Sequence, residues 1–147
     1  MRISTRGEYG VRAMLDLALH GRKEPVPLGV IAARQDISES YLEQLISVLR
    51  RAGLVVSFRG AQGGYQLAKS AKEITIGEIL RALEGPIAPR KCVDEKESSL
   101  CTQSERCATR VLWQKLQASI EDVLESTTLA WLTNEAEKIA AAVGEQR

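Results

Sequence analysis

The sequence predicts a mainly α-helical protein with one small β-hairpin, built as a compact front domain followed by a long rear helix. Three observations carry that expectation. Apolar residues recur at helical spacing in most of the chain, and one stretch alone, residues 54–67, is β-branched and punctuated by glycines as a hairpin is. Aromatic residues make up only 4% of the chain, so its core has to be built from Leu, Ile, Val and Ala, which suits helices. The last third of the sequence carries an apolar stripe beyond the part that needs a core of its own.

A chain of 147 residues is enough for one domain plus one extended element. Hydrophobic residues at 44% and charged residues at 27% are ordinary globular values and exclude wholesale disorder. No run approaches the roughly 18 apolar residues a membrane span needs. The first eight residues have no apolar core and no cleavage signature, so a cytoplasmic chain with reduced thiols and no membrane partner is expected. The net charge of +1 is unevenly spread: through Thr75 there are 11 Lys and Arg against 7 Asp and Glu, and from Ile76 onward 9 against 12. A basic front half suits a polyanionic partner, although chance variation on an ordinary surface has the same look.

Taken in order, Thr5-Arg-Gly-Glu8 has the form of a capping box, and Val11, Met14, Leu15 and Ala18 follow at helical spacing. This predicts a first helix over about 6–20, stopped by Gly21 and by Pro25 and Pro27. Leu28, Ile31 and Ala32 mark a short second helix over 28–35. Ser38 caps a third helix running to about Ala52, with Gly53 as its left-handed exit. Leu42, Leu45, Ile46 and Leu49 form its buried stripe; Ser40, Glu43, Gln44 and Ser47 form a second face, about 200° away and entirely polar. Residues 54–58 and 65–67 then flank the glycine-rich tip that Arg59 enters. Two helices joined by a short turn and followed by a small hairpin describe a winged helix-turn-helix, which presents its third helix to a DNA major groove.

Thr75-Ile-Gly-Glu78 is a second capping box, opening a fourth helix with Ile76, Ile79, Leu80 and Leu83 on its stripe and Gly85 at its end. Past Pro86 and Pro89 lies a polar stretch holding all three cysteines. From about Thr109 Leu112, Leu116, Ile120 and Leu124 line up, widened by Trp113 and Val123. Residues 126–128 interrupt or cap, and Leu129, Leu132, Ala136, Ile139 and Val143 mark a last helix ending near Gly144. The expected division is a winged domain over 1–85, a cysteine loop over 86–108 and a dimerisation helix with a C-terminal helix over 109–147, its partner a second copy of the chain.

The polar face of the third helix suits base reading. Gln44 can pair with adenine in two hydrogen bonds, Glu43 can accept from cytosine, and Ser40 can reach a base or phosphate. Arg59 at the wing tip fits a narrow minor groove, and Arg2, Arg6, Arg50 and Arg51 are candidates for phosphate contact. Ser38, Tyr41 and Gly60, which border these residues, are counted with the DNA-binding set. A winged helix can instead dock proteins, with these residues as ordinary surface. An enzyme is not expected. The chain has one histidine, no Ser/His/Asp grouping, and a glycine-rich tip that leads into a strand rather than a helix.

Four stretches together resemble the Rrf2 family of bacterial transcription regulators, most of all its iron–sulfur cluster regulator branch. They are the first ten residues, Ser38-Glu-Ser-Tyr-Leu-Glu-Gln-Leu45, Gly53-Leu-Val55 and Arg59-Gly-Ala-Gln-Gly-Gly-Tyr-Gln-Leu67. The resemblance runs on through the cysteines and the long helix. It implies a homodimer of winged domains crossed by the long helix, imperfect palindromic operators in double-stranded DNA, and a repressor-type action on iron–sulfur cluster biogenesis genes. It places Ser40, Glu43 and Gln44 where the family reads bases and Arg59 where its wing enters the minor groove. It also implies an iron–sulfur cluster on the cysteine triplet, 2Fe-2S ahead of 4Fe-4S. A nitric-oxide or redox sensor with a 4Fe-4S cluster is the alternative within the family.

The cysteines themselves, Cys92, Cys101 and Cys107, supply three thiolates, and a tetrahedral soft-ligand site needs a fourth group. A zinc-stapled loop in a protein-interaction module, a disulfide switch, or inert thiols compete with a cluster on residue type alone. Where the resembled regulators place a histidine, three residues after the last cysteine, this chain has Arg110, whose guanidinium stays protonated and cannot ligate iron. His20 reads as a helix-end residue. Other members of the family take a carboxylate from the start of the first helix, where Glu8 stands, and Glu8 is the expected fourth ligand ahead of His20, a solvent molecule or Glu105.

Overall fold

A computed structural model of the protein describes residues 2–94, 96–97 and 105–145. Six helices and one antiparallel hairpin follow one another along it. They are α1 (Thr5–His20), α2 (Leu28–Gln35), α3 (Glu39–Arg51), β1 (Val55–Phe58), β2 (Gly64–Leu67), α4 (Ile76–Glu84), α5 (Ala108–Ser126) and α6 (Leu129–Glu145), with a 3-10 turn at Lys91–Val93. The mainly helical fold with a hairpin wing is as the sequence leads one to expect.

α1 is the hub. Ala13, Met14 and Leu17 on it pack with Ile31 and Ala32 of α2, Leu42, Leu45, Ile46 and Leu49 of α3, Val55 of β1, Ile79 and Leu83 of α4 and Leu129 of α6 in one continuous core. Close approach of α4 depends on Gly10, because a Cβ there would collide with Leu83. Every large apolar residue that the α3 stripe singled out is buried. The hairpin pairs Val55 with Leu67 and Phe58 with Gly64, and an isolated bridge from Val26 to Tyr65 ties it to the turn before α2. Gly60 and Gly64 at the tip take positive φ values of 101° and 151°, which a side chain would resist.

Ser38 caps α3 by accepting from the Tyr41 N–H at 3.3 Å, and Gly53 takes the left-handed exit with φ 79°. The second capping box is present in full: the Glu78 N–H donates to Thr75 Oγ1 at 3.1 Å, and the Thr75 N–H donates to Glu78 Oε2 at 2.9 Å. The box expected on Thr5 and Glu8 is not. Ser4 is the cap of α1, accepting from the Gly7 N–H at 3.2 Å. The carboxylate at that helix end comes from α4: Glu84 Oε1 accepts from both the Ser4 N–H, at 2.7 Å, and the Ser4 hydroxyl. Glu8 is left exposed.

The α5–α6 corner turns the chain back onto the front half. The Ile76 N–H donates to Thr127 O at 2.9 Å and the Leu129 N–H to Ile74 O at 2.8 Å, while Thr128 Oγ1 caps α6 from the Trp131 N–H at 3.1 Å. The first turns of α6 thus enter the core through Leu129 and Thr133. α5 buries no residue at all. No helix among the described residues is long and apolar enough to cross a membrane.

Candidate nucleic-acid interface and thiol site

The two faces of α3 separate cleanly. With its leucines turned into the core, α3 leaves Ser40, Glu43 and Gln44 exposed on the outer side and Ser47 at the margin. Its last turn carries Arg50 and Arg51. Arg50 donates to Ser57 Oγ of β1 at 3.3 Å, tying the end of this helix to the wing, and Arg51 donates to Ser47 O at 3.4 Å. Arg59 and Gly60 are exposed at the wing tip, and Arg2 and Arg6 are exposed at the start of the chain. Their guanidinium groups are available to an external polyanion.

The support beneath this face includes residues that the sequence reading did not single out. Asp16 on α1 is only 1% exposed, and Arg34 of α2 clamps it with two hydrogen bonds, Nε to Oδ2 at 2.9 Å and Nη2 to Oδ1 at 2.7 Å. Gln35 adds a third, Nε2 to Oδ2 at 2.9 Å. The carboxylate in turn raises the Arg34 pKa, chiefly through the hydrogen bonds, with desolvation opposing and charge attraction adding the least. Arg12 donates to the Gln35 carbonyl and, at 3.3 Å, to its side-chain oxygen. Its guanidinium carbon lies 5.3 Å from the Tyr9 ring centroid. The Tyr9 ring meets Tyr41 of α3 edge to face, centroids 6.0 Å apart at 77°. One signal in the sequence could have pointed here: an aspartate set between Leu15 and Leu17 on a helix needs a buried partner.

The thiol site lies between the end of α4 and the start of α5. Cys92 sits in the 3-10 turn and Cys107 at the N-cap of α5, both half-buried free thiols. They share one cavity of about 620 Å³, whose walls also include Pro89, Asp94, Glu97 and Trp113. The Thr109 hydroxyl, 2.9 Å from Cys107 Sγ, lowers the Cys107 pKa, helped by the backbone N–H groups of Arg110 and Thr109. This favours the thiolate, the form that binds metals. Arg110, at the position where the resembled regulators carry a histidine, donates from Nε to the Cys92 carbonyl at 3.2 Å and so fastens the turn to α5. Cys101, the third expected ligand, lies outside the described residues.

Two soft donors, one of them biased to its anionic form, on a cavity of this size fit a thiolate-bound inorganic group. Among the described residues no three His, Cys, Asp or Glu side chains converge to hold a metal ion unaided. Glu8 does not line this cavity within the chain, and it has no cap to serve. His20 is exposed at the last position of α1, and Glu105 is exposed ahead of α5.

Comparison with known proteins agrees with this architecture. The Rrf2 family, described as iron-dependent transcriptional regulators, matches residues 3–135. The HTH-type transcriptional regulator IscR of Erwinia tasmaniensis is 48% identical over 142 residues, covering 97% of this chain and 84% of that protein. The IscR of Vibrio vulnificus is 45% identical over 139 residues, 95% of this chain and 81% of that protein. Among solved structures, T. potens IscR is 47% identical with a TM-score of 0.77, covering 95% of this chain and 90% of that one. CymR, the global cysteine regulator of B. subtilis, is 42% identical with the same TM-score, covering 92% and 98%.

Proposed function

Because the chain belongs to the Rrf2 family of transcription regulators, we propose that it is a homodimeric, DNA-binding repressor governed by an iron–sulfur cluster on Cys92, Cys101 and Cys107. The observation that carries this reading is the opening of Cys92 and Cys107 onto one cavity at the joint between α4 and α5. When bound, the cluster supplies thiolate–iron bonding that is sensitive to oxidants. The chain's own residues do the rest. Thr109 biases Cys107 toward its thiolate, and Arg110 holds the carbonyl of Cys92 against α5.

Glu8 is the fourth ligand in this reading, from the same or the partner subunit. It is exposed, and Ser4 and Glu84 have taken over the helix end it would otherwise serve. The cluster is 2Fe-2S, and the regulated genes are those of iron–sulfur cluster biogenesis. The protein acts in the cytoplasm.

On DNA, Ser40, Glu43 and Gln44 read bases in the major groove and Arg59 enters the minor groove. Ser38, Tyr41, Gly60, Arg2, Arg50 and Arg51 complete the contact surface. Two such surfaces related by a two-fold axis require an imperfect palindrome in the operator. The uncovered apolar face of α5 supports the dimer: Leu112, Leu116 and Val123 on it are all exposed in the single chain. The residues divide as a DNA-reading part over 1–85, a cluster part over 86–108 and a dimerisation part over 109–147.

Anaerobic purification with visible absorption and iron and sulfide analysis tests the central assignment. Iron and sulfide in equal amounts, two per chain, are expected, and Cys92→Ser and Cys107→Ser should each abolish them. Four irons per chain would assign a redox or nitric-oxide sensor instead. Stoichiometric zinc without sulfide would overturn the cluster. Glu8→Ala should alter the absorption spectrum with the fold intact, and an unchanged spectrum would remove Glu8 from the ligand set.

A further inference from the structure

We infer that Tyr9 and Arg12 are positioning residues for DNA reading, holding the first turn of the recognition helix through Tyr41; the inference rests on α3 being the base-reading helix. Tyr41 is fixed twice. Its backbone N–H is the hydrogen that Ser38 accepts at 3.3 Å, and its ring takes the edge contact from Tyr9 at 6.0 Å. In sequence it lies between Ser40 and Glu43, so its ring and the base-reading side chains share one helical turn.

Behind Tyr41 the support runs unbroken into the core. Arg12 stacks on Tyr9 and is itself pinned to the Gln35 carbonyl, and Gln35 and Arg34 are both locked onto the buried Asp16. These six residues, Tyr41, Tyr9, Arg12, Gln35, Arg34 and Asp16, thus connect α1, α2 and α3 by directional contacts, where apolar packing alone would permit small slides. Neither tyrosine hydroxyl makes a hydrogen bond among the described residues, so the ring faces and edges carry the contact.

The physical consequence concerns specificity rather than affinity. Paired hydrogen bonds to base edges fail when a helix turn shifts by about an ångström, since their donor–acceptor range is narrow. Phosphate contacts from long arginines at Arg2, Arg50 and Arg51 tolerate such a shift, and they set the salt dependence. Removal of the Tyr9 ring should therefore erode base discrimination while leaving the salt slope unchanged.

The test uses the intact dimer and measures affinity for the operator and for versions with one base pair changed, over a range of salt. Tyr9→Leu should reduce discrimination about tenfold at positions read by the first turn of α3, a loss on the scale of one bidentate base contact. Its slope of log affinity against log salt should stay that of the wild type. Tyr9→Phe, which keeps ring and stack, should restore discrimination. Should Tyr9→Leu fail to fold, Arg12→Gln removes the stacked cation from a half-exposed position and should act in the same direction, by about threefold. A folded Tyr9→Leu protein with full discrimination, or one weakened equally on every sequence, would overturn the positioning role. Gln44→Ala, measured alongside, decides separately whether Gln44 is itself a reader. The Tyr9 result stands whichever side chain of α3 does the reading.

Discussion

Two helices of this protein follow opposite rules. α3 has 13 residues and drives four large apolar side chains fully into the core of its own chain, leaving a polar face that needs no cover. α5 has 19 residues and an apolar stripe of similar spacing, and buries none of it fully: Trp113, Ile120 and Leu124 are half-buried and Leu112 and Leu116 exposed. Val111 and Val123 are 65% and 62% exposed, and Leu112 and Leu116 follow the same pattern. A face that is amphipathic yet uncovered is what an interface shows when its partner is missing. The difference teaches where the single chain is complete. Its front domain is finished by intramolecular packing, whereas its rear helix leaves an apolar face that the proposed second copy would cover.

The strongest way to break this contrast is to put a charge on α5. Leu116→Glu should separate the subunits and reduce operator affinity by a factor of about 10² or more, since a dimer engages two half-sites at once. The fold of each subunit should survive, because Leu116 is exposed and lies outside the core of its own chain; gel-shift titration and circular dichroism together read both effects. The opposite expectation holds on α3. Leu45→Ala should cost about 2–5 kcal/mol in denaturant unfolding through the cavity it leaves. Leu112→Ala, on α5, should leave the stability of the separated subunits within about 0.5 kcal/mol.

Asp16→Asn gives the next largest effect. It removes the charge from a clamp of three hydrogen bonds while Arg34 keeps its own charge, half out in solvent, and should cost about 2–3 kcal/mol. The smallest concerns the cap of α4. Thr75→Ala should cost about 1 kcal/mol. The backbone N–H of Thr75 holds the Glu78 carboxyl below its ordinary pKa, helped by Lys69 and Arg81. A carboxylate with a lowered folded pKa contributes stability that is full above the unfolded value and is lost as the pH falls through the folded one. The acid limb of the stability curve should therefore flatten in Glu78→Gln, as thermal unfolding between pH 6 and pH 3 would show.

The reach of the sequence followed the range of the interactions. The ends of α3 and α4 were legible because Ser38, Gly53, Thr75 and Gly85 act within a few residues of themselves. The start of α1 was not. Ser4 and Thr5 are both capping residues, and Thr5 with Glu8 satisfies the local pattern. The choice fell to Ser4 through Glu84, eighty positions away. The partners of Asp16 were out of reach for the same reason, lying on another helix, although an aspartate between two leucines signals that a partner is needed. The exposed face of α3 could be read from periodicity alone. The meeting of Cys92 and Cys107 on one cavity could not, because the fold of a polar loop follows no period.

Sedimentation equilibrium of the wild-type protein beside Leu116→Glu tests the contrast between the two helices most directly. The wild type should sediment at twice the chain mass at micromolar concentration, and the variant at the single chain mass with unchanged helix content. A monomeric wild type, or a Leu116→Glu variant that remains dimeric, would contradict it.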